Sequence, residues 1–528
     1  MYLIVTASSD AYIQNKIIGN KFRTSDANTG RAGTLDLFKL YGESVLPEDE
    51  TVPGTYALDV DSNGTPETAI ELSRILIKFD YDKLQEQTNK TLDINSDNFK
   101  AYLSLKSVSA GQFTPKDFTV DVVPLAQKFD EGIGKDVISF QDLDACNFVT
   151  ASHDGAVVNA WNAIGAGQLG VLGAENLDAF NRADFGAGEV SVVASQNFKE
   201  GGEDLNIDVT HLVSASLAGQ LDNHGFRISF NPTQETDSKT RFVKRFSSRH
   251  ASDPYARPSL NVVWDDTILD NSENSLFDYE NTLYFQNYVR GSEANLKIGA
   301  TTYSGDDCFR LVLSNGLFAV TASASSVSDN TTNTARPGLY KASFTVNSND
   351  NSSIRTGDKV SDFAIKSGSL DLTTEWQLND GSLTFFTGSI TLKNSDRGHA
   401  DFTSRDPDLT VLNLRNEYKK SDTARIRVFG RDITTEFKEK YGTIPQRRKS
   451  VIYDEVYFGV VDNLSGDVAI PINQAQNGTR LSTDSQGMFF DLDMDNLVAG
   501  RNYHFMFSIS ERGTETIVTQ KEVSFRVV

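Results

Sequence analysis

The sequence predicts a mainly β protein divided into several domains, and three observations carry that prediction. Apolar residues alternate with polar ones in short runs instead of recurring at every third or fourth position. The chain favours strands and tight turns in composition, with 38 Gly, 33 Phe and 17 Tyr, beside abundant Thr, Ser, Asn and Asp. At 528 residues it is too long for one core, so about two to four domains are expected.

Taken in order, Leu3, Val5 and Ala7 alternate as a first strand, and Ser8, Ser9 and Asp10 are expected to turn the chain into Ala11, Tyr12 and Ile13. Residues Leu35 to Leu40 make a second strand. A polar loop with Pro47, Pro53 and Gly54 leads to the strongest strand of this region, Leu72 to Phe79, whose more apolar face is Ser73, Ile75, Ile77 and Phe79. Strands follow at Lys100 to Val108 and Asp117 to Val123. The Ala/Gly-rich stretch Asp144 to Phe185 reads as a loop-rich insertion, with a helical turn or two over Ala156 to Ile164. Thr210 is placed to cap a short helix that presents Leu212, Val213 and Leu217 and ends at Gly219. A polar turn at Asp222 to Gly225 launches the strand Phe226 to Phe230, and Arg241 to Phe246 is a further strand.

The nineteen residues Phe246 to Trp264 close this region. Pro258 holds Arg257 extended and starts an edge or terminal strand whose Leu260, Val262 and Trp264 alternate. Arg249, His250 and Arg257 read as polar groups that hold the corner. The opening ASSDAYI, then ILIKFD, IDVTHLV, NHGFRISF and finally FSSRHASDPYARPSLNVVW together resemble the DNRLRE, or disaggregatase-related, modules. The resemblance covers about half of the chain at a few landmarks. It implies a jelly-roll β-sandwich akin to carbohydrate-binding modules of extracellular and virion-associated proteins. The acidic loop before Leu72 and the insertion around Trp161 depart from the pattern.

The first domain is therefore expected over residues 1–266, and the polar, acidic stretch 267–275 reads as a linker. Two smaller immunoglobulin-like β-sandwich domains follow. In residues 276–397, turns at Ser314-Asn315-Gly316 and Asn379-Asp380-Gly381 join strand pairs. Residues 398–528 hold six more strands, and the stretch LNLRNEYKKSDTARIRVFGRDI resembles C-terminal β-domains of phage structural proteins. The two domains share no repeat strong enough to make them copies.

A formal net charge of −22 repels phosphate backbones and anionic membrane surfaces, so nucleic acid is not an expected partner. No apolar run approaches the roughly 20 residues needed to span a bilayer. The opening residues lack the basic and apolar regions of an export signal. Two cysteines, Cys146 and Cys308, fall in different expected domains, which suits synthesis in a reducing compartment and packed thiols.

Candidate chemistry is sparse. Asp59, Asp61, Asn63 and Gly64 spell the start of a Ca2+ loop, in which alternate oxygens wrap a hard cation, but position twelve is Ile70. No other cofactor is expected. The six histidines, among them His153, His211, His224 and His250, show no metal-ligand spacing. Gly132-Ile133-Gly134-Lys135 departs from a phosphate loop and reads as a turn. With 72 Asp and Glu residues, no catalytic carboxylate pair stands out, and no enzyme is expected. Arg241 and Arg245, and the triplet Arg447, Arg448 and Lys449, are candidates for docking an acidic partner. Trp161 is the candidate for stacking on a sugar ring, whereas Trp264 and Trp376 sit in strands and read as core.

Modules of a surface type, no export signal and almost no cysteine together point to a virion protein. Such a chain would fold in a bacterial host, assemble with other virion proteins and copies of itself in the tail, neck or baseplate, and leave by lysis. The alternative expectation is a carbohydrate-binding adhesin on a tail fibre or cell surface.

Overall fold

The computed structural model describes residues 1–19, 22–42, 70–109, 114–138, 142–155, 157–186, 188–328, 335–395, 406–433, 450–453, 455–511 and 513–528. Residues 59–64 and the triplet 447–449 lie outside this set, and with them the Ca2+-loop candidate and the second basic candidate. The chain is all-β, and its backbone divides into two compact units. One comprises Leu3–Gln85 and Lys100–Val262; the other comprises Met1–Tyr2, Glu86–Phe99 and Val263–Val528.

The first unit is a jelly-roll sandwich built on β1 (Tyr2–Gln14), β2 (Thr34–Tyr41), β3 (Ile70–Phe79), β4 (Lys100–Leu105), β5 (Phe118–Pro124), β6 (Ala194–Phe198), β7 (Leu205–Asp208), β8 (Phe226–Phe230), β9 (Arg241–Ser247) and β10 (Ser259–Val263). Its strands run in the order β6-β5-β8-β3-β1-β10-β4-β7, with β9 paired to β2 and β2 to β3. The corner expected at Ser8 to Asp10 is instead a register shift between Ala7 and Ser9 inside one continuous β1. Such a bulge re-aims the side chains beyond it. Asp10 is thereby left only 1% exposed.

Strand β3 is buried on both faces, because Leu76 is as fully covered as Ile75 and Ile77. Its second face lies under the insertion: Leu76, Ala11 and Ile13 form one cluster with Phe148, Ala151 and Trp161. Among the described residues of Ala156 to Ile164, the expected helical turn does not form. Val157–Ala160 is a strand and forms a hairpin with Thr150–Asp154. Two successive valines favour that extended backbone over a helix.

Helix α1 (Thr210–Leu217) buries Leu212, Val213, Ala215 and Leu217 and is N-capped by Val209 without a side-chain bond. The Thr210 hydroxyl instead accepts from the Ala101 backbone N–H in β4. Gly219, at φ 71°, follows the last turn as expected.

In the second unit, β11 (Asn281–Gln286), β12 (Phe309–Asn315), β13 (Phe318–Ser328), β14 (Ala335–Phe344), β15 (Ser369–Leu378) and β16 (Thr384–Lys393) form one antiparallel sheet in the order β11-β14-β13-β12-β15-β16. Helix α2 (Val360–Lys366) contributes Val360 and Ala364 to the core, which also holds Trp376. The last region is a sandwich of β17 (Pro407–Val411), β18 (Thr423–Asp432), β19 (Glu455–Asp462), β20 (Gly487–Asp493), β21 (Asn502–Glu511) and β22 (Thr514–Val527). One sheet runs β17-β18-β20 and the other contains β22-β21-β19. Phe458 and Phe490, from opposite sheets, stack at 4.1 Å across the core. The stretch read as a linker is packed rather than free. Ile268 clusters with Leu339 and Phe489, and its N–H donates to Ser482.

Candidate functional site

The basic strand β9 turns its charge inward, and its role as a docking surface does not hold for Arg241. That side chain is 8% exposed and forks onto Asp237 at 2.9 and 2.6 Å. The same carboxylate pairs with the fully buried Lys39 at 2.7 Å. These cations hold the Asp237 carboxyl far below its usual range, Arg241 most strongly. Arg245 is a quarter exposed and lies against Asp36 at 3.0 Å. Lys244, fully buried, donates to Ser107 Oγ and to the carbonyls of Gly201 and Glu203 at 2.7–2.8 Å. Its ammonium also faces the rings of Phe198 and Phe246. Burial lowers it to about 8, against the opposing pull of Glu203 and Asp204.

Trp161 is no sugar platform either. It is 5% exposed, its indole N–H donates to the Asn147 carbonyl at 2.9 Å, and its ring packs against the β3 face. The insertion is pinned by Asp178, which is completely buried. Its two oxygens accept from the N–H groups of Asn162, Ala163 and Gln168 and from the Gln127 amide, all within 2.7–2.9 Å.

A different cluster forms where β1, the loop after β5 and the turn after β9 meet. The β1 bulge presents Asp10. The loop presents Glu131, held from behind by Asn28, whose amide donates to the carbonyls of Glu131 and Cys146, both at 2.8 Å. The Asn28 Oδ1 accepts from Gly134 N–H at 2.8 Å. Gly132 is required here: at φ 77°, a Cβ would sit 2.5 Å from that same oxygen. The glycine-containing turn read at Gly132 to Lys135 is thus a bracket for Glu131.

The closing phrase supplies Arg249 and His250. Arg249 forks onto Glu131 at 2.5 and 2.7 Å, and this pairing holds its guanidinium more firmly protonated. Its backbone N–H donates to Asp10 Oδ2 at 2.6 Å. His250 Nε2 lies 3.3 Å from Glu131 Oε1, and the imidazole is the exposed edge of the cluster. Asp10 Oδ1 is buried with no hydrogen-bond partner among the described residues. Burial pushes the Asp10 carboxyl up to about 7; the Arg249 N–H opposes this, and the Glu131 charge adds to it.

Arg249 therefore holds the corner as expected, and so does Arg257, whose Nε donates to the Ala251 carbonyl at 3.0 Å. His250 goes further by joining two carboxylates. Asp10, Glu131 and His250 are more than a hundred residues apart, and no sequence spacing announces them. The available signal was local: a polar triplet in a strand and a glycine pair beside an acid. Elsewhere, Leu269, Asn271, Tyr453 and Met488 line an open recess of about 230 Å3, where the Asp270 carboxylate already accepts from the N–H groups of Ser272 and Tyr284.

Fold and site define an all-β protein of several modules. No family model matches the chain, and no curated protein does. Solved structures similar to parts of it include the D00-D0 domain of Intimin, at 12% identity over 49% of this chain and 96% of that one, with a TM-score of 0.13. Tandem Ig repeats of Dlar match at 8% identity over 42% and 82%, TM-score 0.13. Trypsin-activated alpha-2-macroglobulin from Escherichia coli matches at 9% over 79% and 29%, TM-score 0.15. TM-scores this low carry no argument about function. Among the described residues, no helix is long and apolar enough to cross a membrane.

Proposed function

We propose that the chain is a non-enzymatic structural protein of a bacteriophage virion, acting through protein–protein contacts in the tail, neck or baseplate. In this reading the first unit is a DNRLRE-type module. The observation that carries the proposal is where the described residues of the first unit expose large apolar side chains, which is confined to residues 133–190. Ile133, Val149, Val157, Val158, Ile164 and Val190 are each more than 40% exposed, and all belong to the insertion and its flanks. Apolar surface of this kind is the usual core of a protein interface. The insertion's other face is anchored by Trp161 and Asp178, so it is a built element able to present a surface.

The carbohydrate-binding alternative loses the residue that motivated it, since Trp161 is buried. Proteomics on purified virions tests the assignment: the chain should be found as an abundant component, and its absence would overturn it. The surface is tested by Val158→Asp, a change at an exposed hairpin position. It should leave the protein folded but reduce its self-association or incorporation at least tenfold; unchanged incorporation would discard this surface.

A further inference from the structure

We propose that Asp10, Glu131 and His250 form a binding site for a single first-row divalent metal ion, with Zn2+ preferred. Each residue offers one ligand atom, and these atoms all lie within 4.8 Å of one another. His250 Nε2 and Glu131 Oε1 are already 3.3 Å apart. A tetrahedral ion with bonds of roughly 2.0–2.1 Å sets its ligand atoms about 3.3–3.5 Å apart, so the remaining pairs, within 4.8 Å, would have to draw in on the ion.

The independent sign of a ligand is Asp10 Oδ1. It belongs to a residue only 1% exposed, it has no hydrogen-bond partner among the described residues, and its residue is one of the three in the one cluster of metal-ligating residues found among the described residues. Buried carboxylate oxygens are ordinarily satisfied, and an orphan one calls for a missing partner. Charge points the same way. With both carboxyl groups ionised, two carboxylates face one guanidinium, Arg249, and a bound cation would offset the surplus.

The donor set selects the ion. Ca2+ and Mg2+ take oxygen ligands almost throughout, whereas an imidazole beside carboxylates suits Zn2+ or Mn2+, and Zn2+ binds such sites more tightly. The exposed imidazole gives an ion access from solvent, and Arg249 and the Asn28 bracket hold Glu131 from outside, as the partners of ligating carboxylates commonly do. The ion would tie the first strand, the loop after β5 and the closing phrase together.

Calorimetric titration of the chelator-treated full chain tests this, using Zn2+, Mn2+, Ca2+ and Mg2+ in turn. One Zn2+ per chain should bind, more tightly than Mn2+ and far more tightly than Ca2+. His250→Ala, at an exposed position, and Asp10→Asn, which keeps the side-chain shape, should each weaken Zn2+ at least tenfold while leaving the circular dichroism spectrum unchanged. Absence of saturable Zn2+ binding, an affinity unchanged in either variant, or a preference for Ca2+ would each overturn the proposal.

Discussion

Strand β9 and the turn that follows it are both basic, yet they handle charge in opposite ways. Around β9 cations are in excess: Lys39 and Arg241 share the single carboxylate of Asp237, and among the described residues Lys244 bonds to a hydroxyl and two carbonyls rather than to a carboxylate. Backbone carbonyls of Gln234, Gly201 and Glu203 absorb the surplus. In the turn, the carboxylates of Asp10 and Glu131 outnumber the guanidinium of Arg249, and one oxygen is left over. Surplus buried charge is stable where the chain itself supplies opposing dipoles, and where it does not, the site invites a ligand.

The largest effect that would break this comparison lies at Lys244. Lys244→Ala strands two carbonyls and a hydroxyl in a buried pocket and should cost about 3–5 kcal/mol in urea unfolding of the first unit. A loss under 1 kcal/mol would mean the cage is wet and the contrast with the turn is false. Next comes Asp237→Asn, which leaves two buried cations without a counter-charge; about 2–4 kcal/mol should be lost, read as a lower urea midpoint.

Asp178 sharpens the point from the other side, being a buried carboxylate that N–H donors saturate. Asp178→Ala should cost roughly 2–3 kcal/mol and speed amide exchange across residues 157–185 selectively. Uniform exchange throughout the unit would show that Asp178 does not anchor the insertion.

The smallest effects are pH slopes. Asp237 has a depressed carboxyl, so its contribution is present above the ordinary carboxylate range and fades as pH falls through that range and below. Lys244 is lowered to about 8, so the unfolded chain binds the extra proton between pH 8 and the ordinary lysine value of about 10.4, and stability should rise with pH across that window. Lys244→Met should remove that rise in thermal melts, and a slope unchanged by the substitution would contradict the assignment.

Much of the fold was legible because strands announce themselves by alternation, as in β3 and β8, and because a Pro-punctuated phrase marked the end of the first module. What was hidden depended on a second layer. Nothing in the alternation of Leu72 to Phe79 reveals that the insertion would bury Leu76 from outside. For the same reason Trp161, in an Ala/Gly-rich stretch, read as exposed when it is the plug of that layer. The excess of Lys and Arg in β9 read as a docking strip because Asp36 lies some two hundred residues away and the turn just before the strand folds Asp237 back onto Arg241. The cluster at Asp10 was least legible of all, since a bulge, a loop and a turn bring its members together.

The contrast between a closed and an open charge cluster is tested most directly by comparing two isosteric substitutions in the presence of a chelator. Urea midpoints of Asp10→Asn and Asp237→Asn are measured against the parent chain. Removing the surplus charge at Asp10 should leave the midpoint unchanged or raise it, while Asp237→Asn lowers it clearly. An Asp10→Asn protein destabilised as much as Asp237→Asn would mean that the Asp10 carboxylate is already fully compensated within the fold.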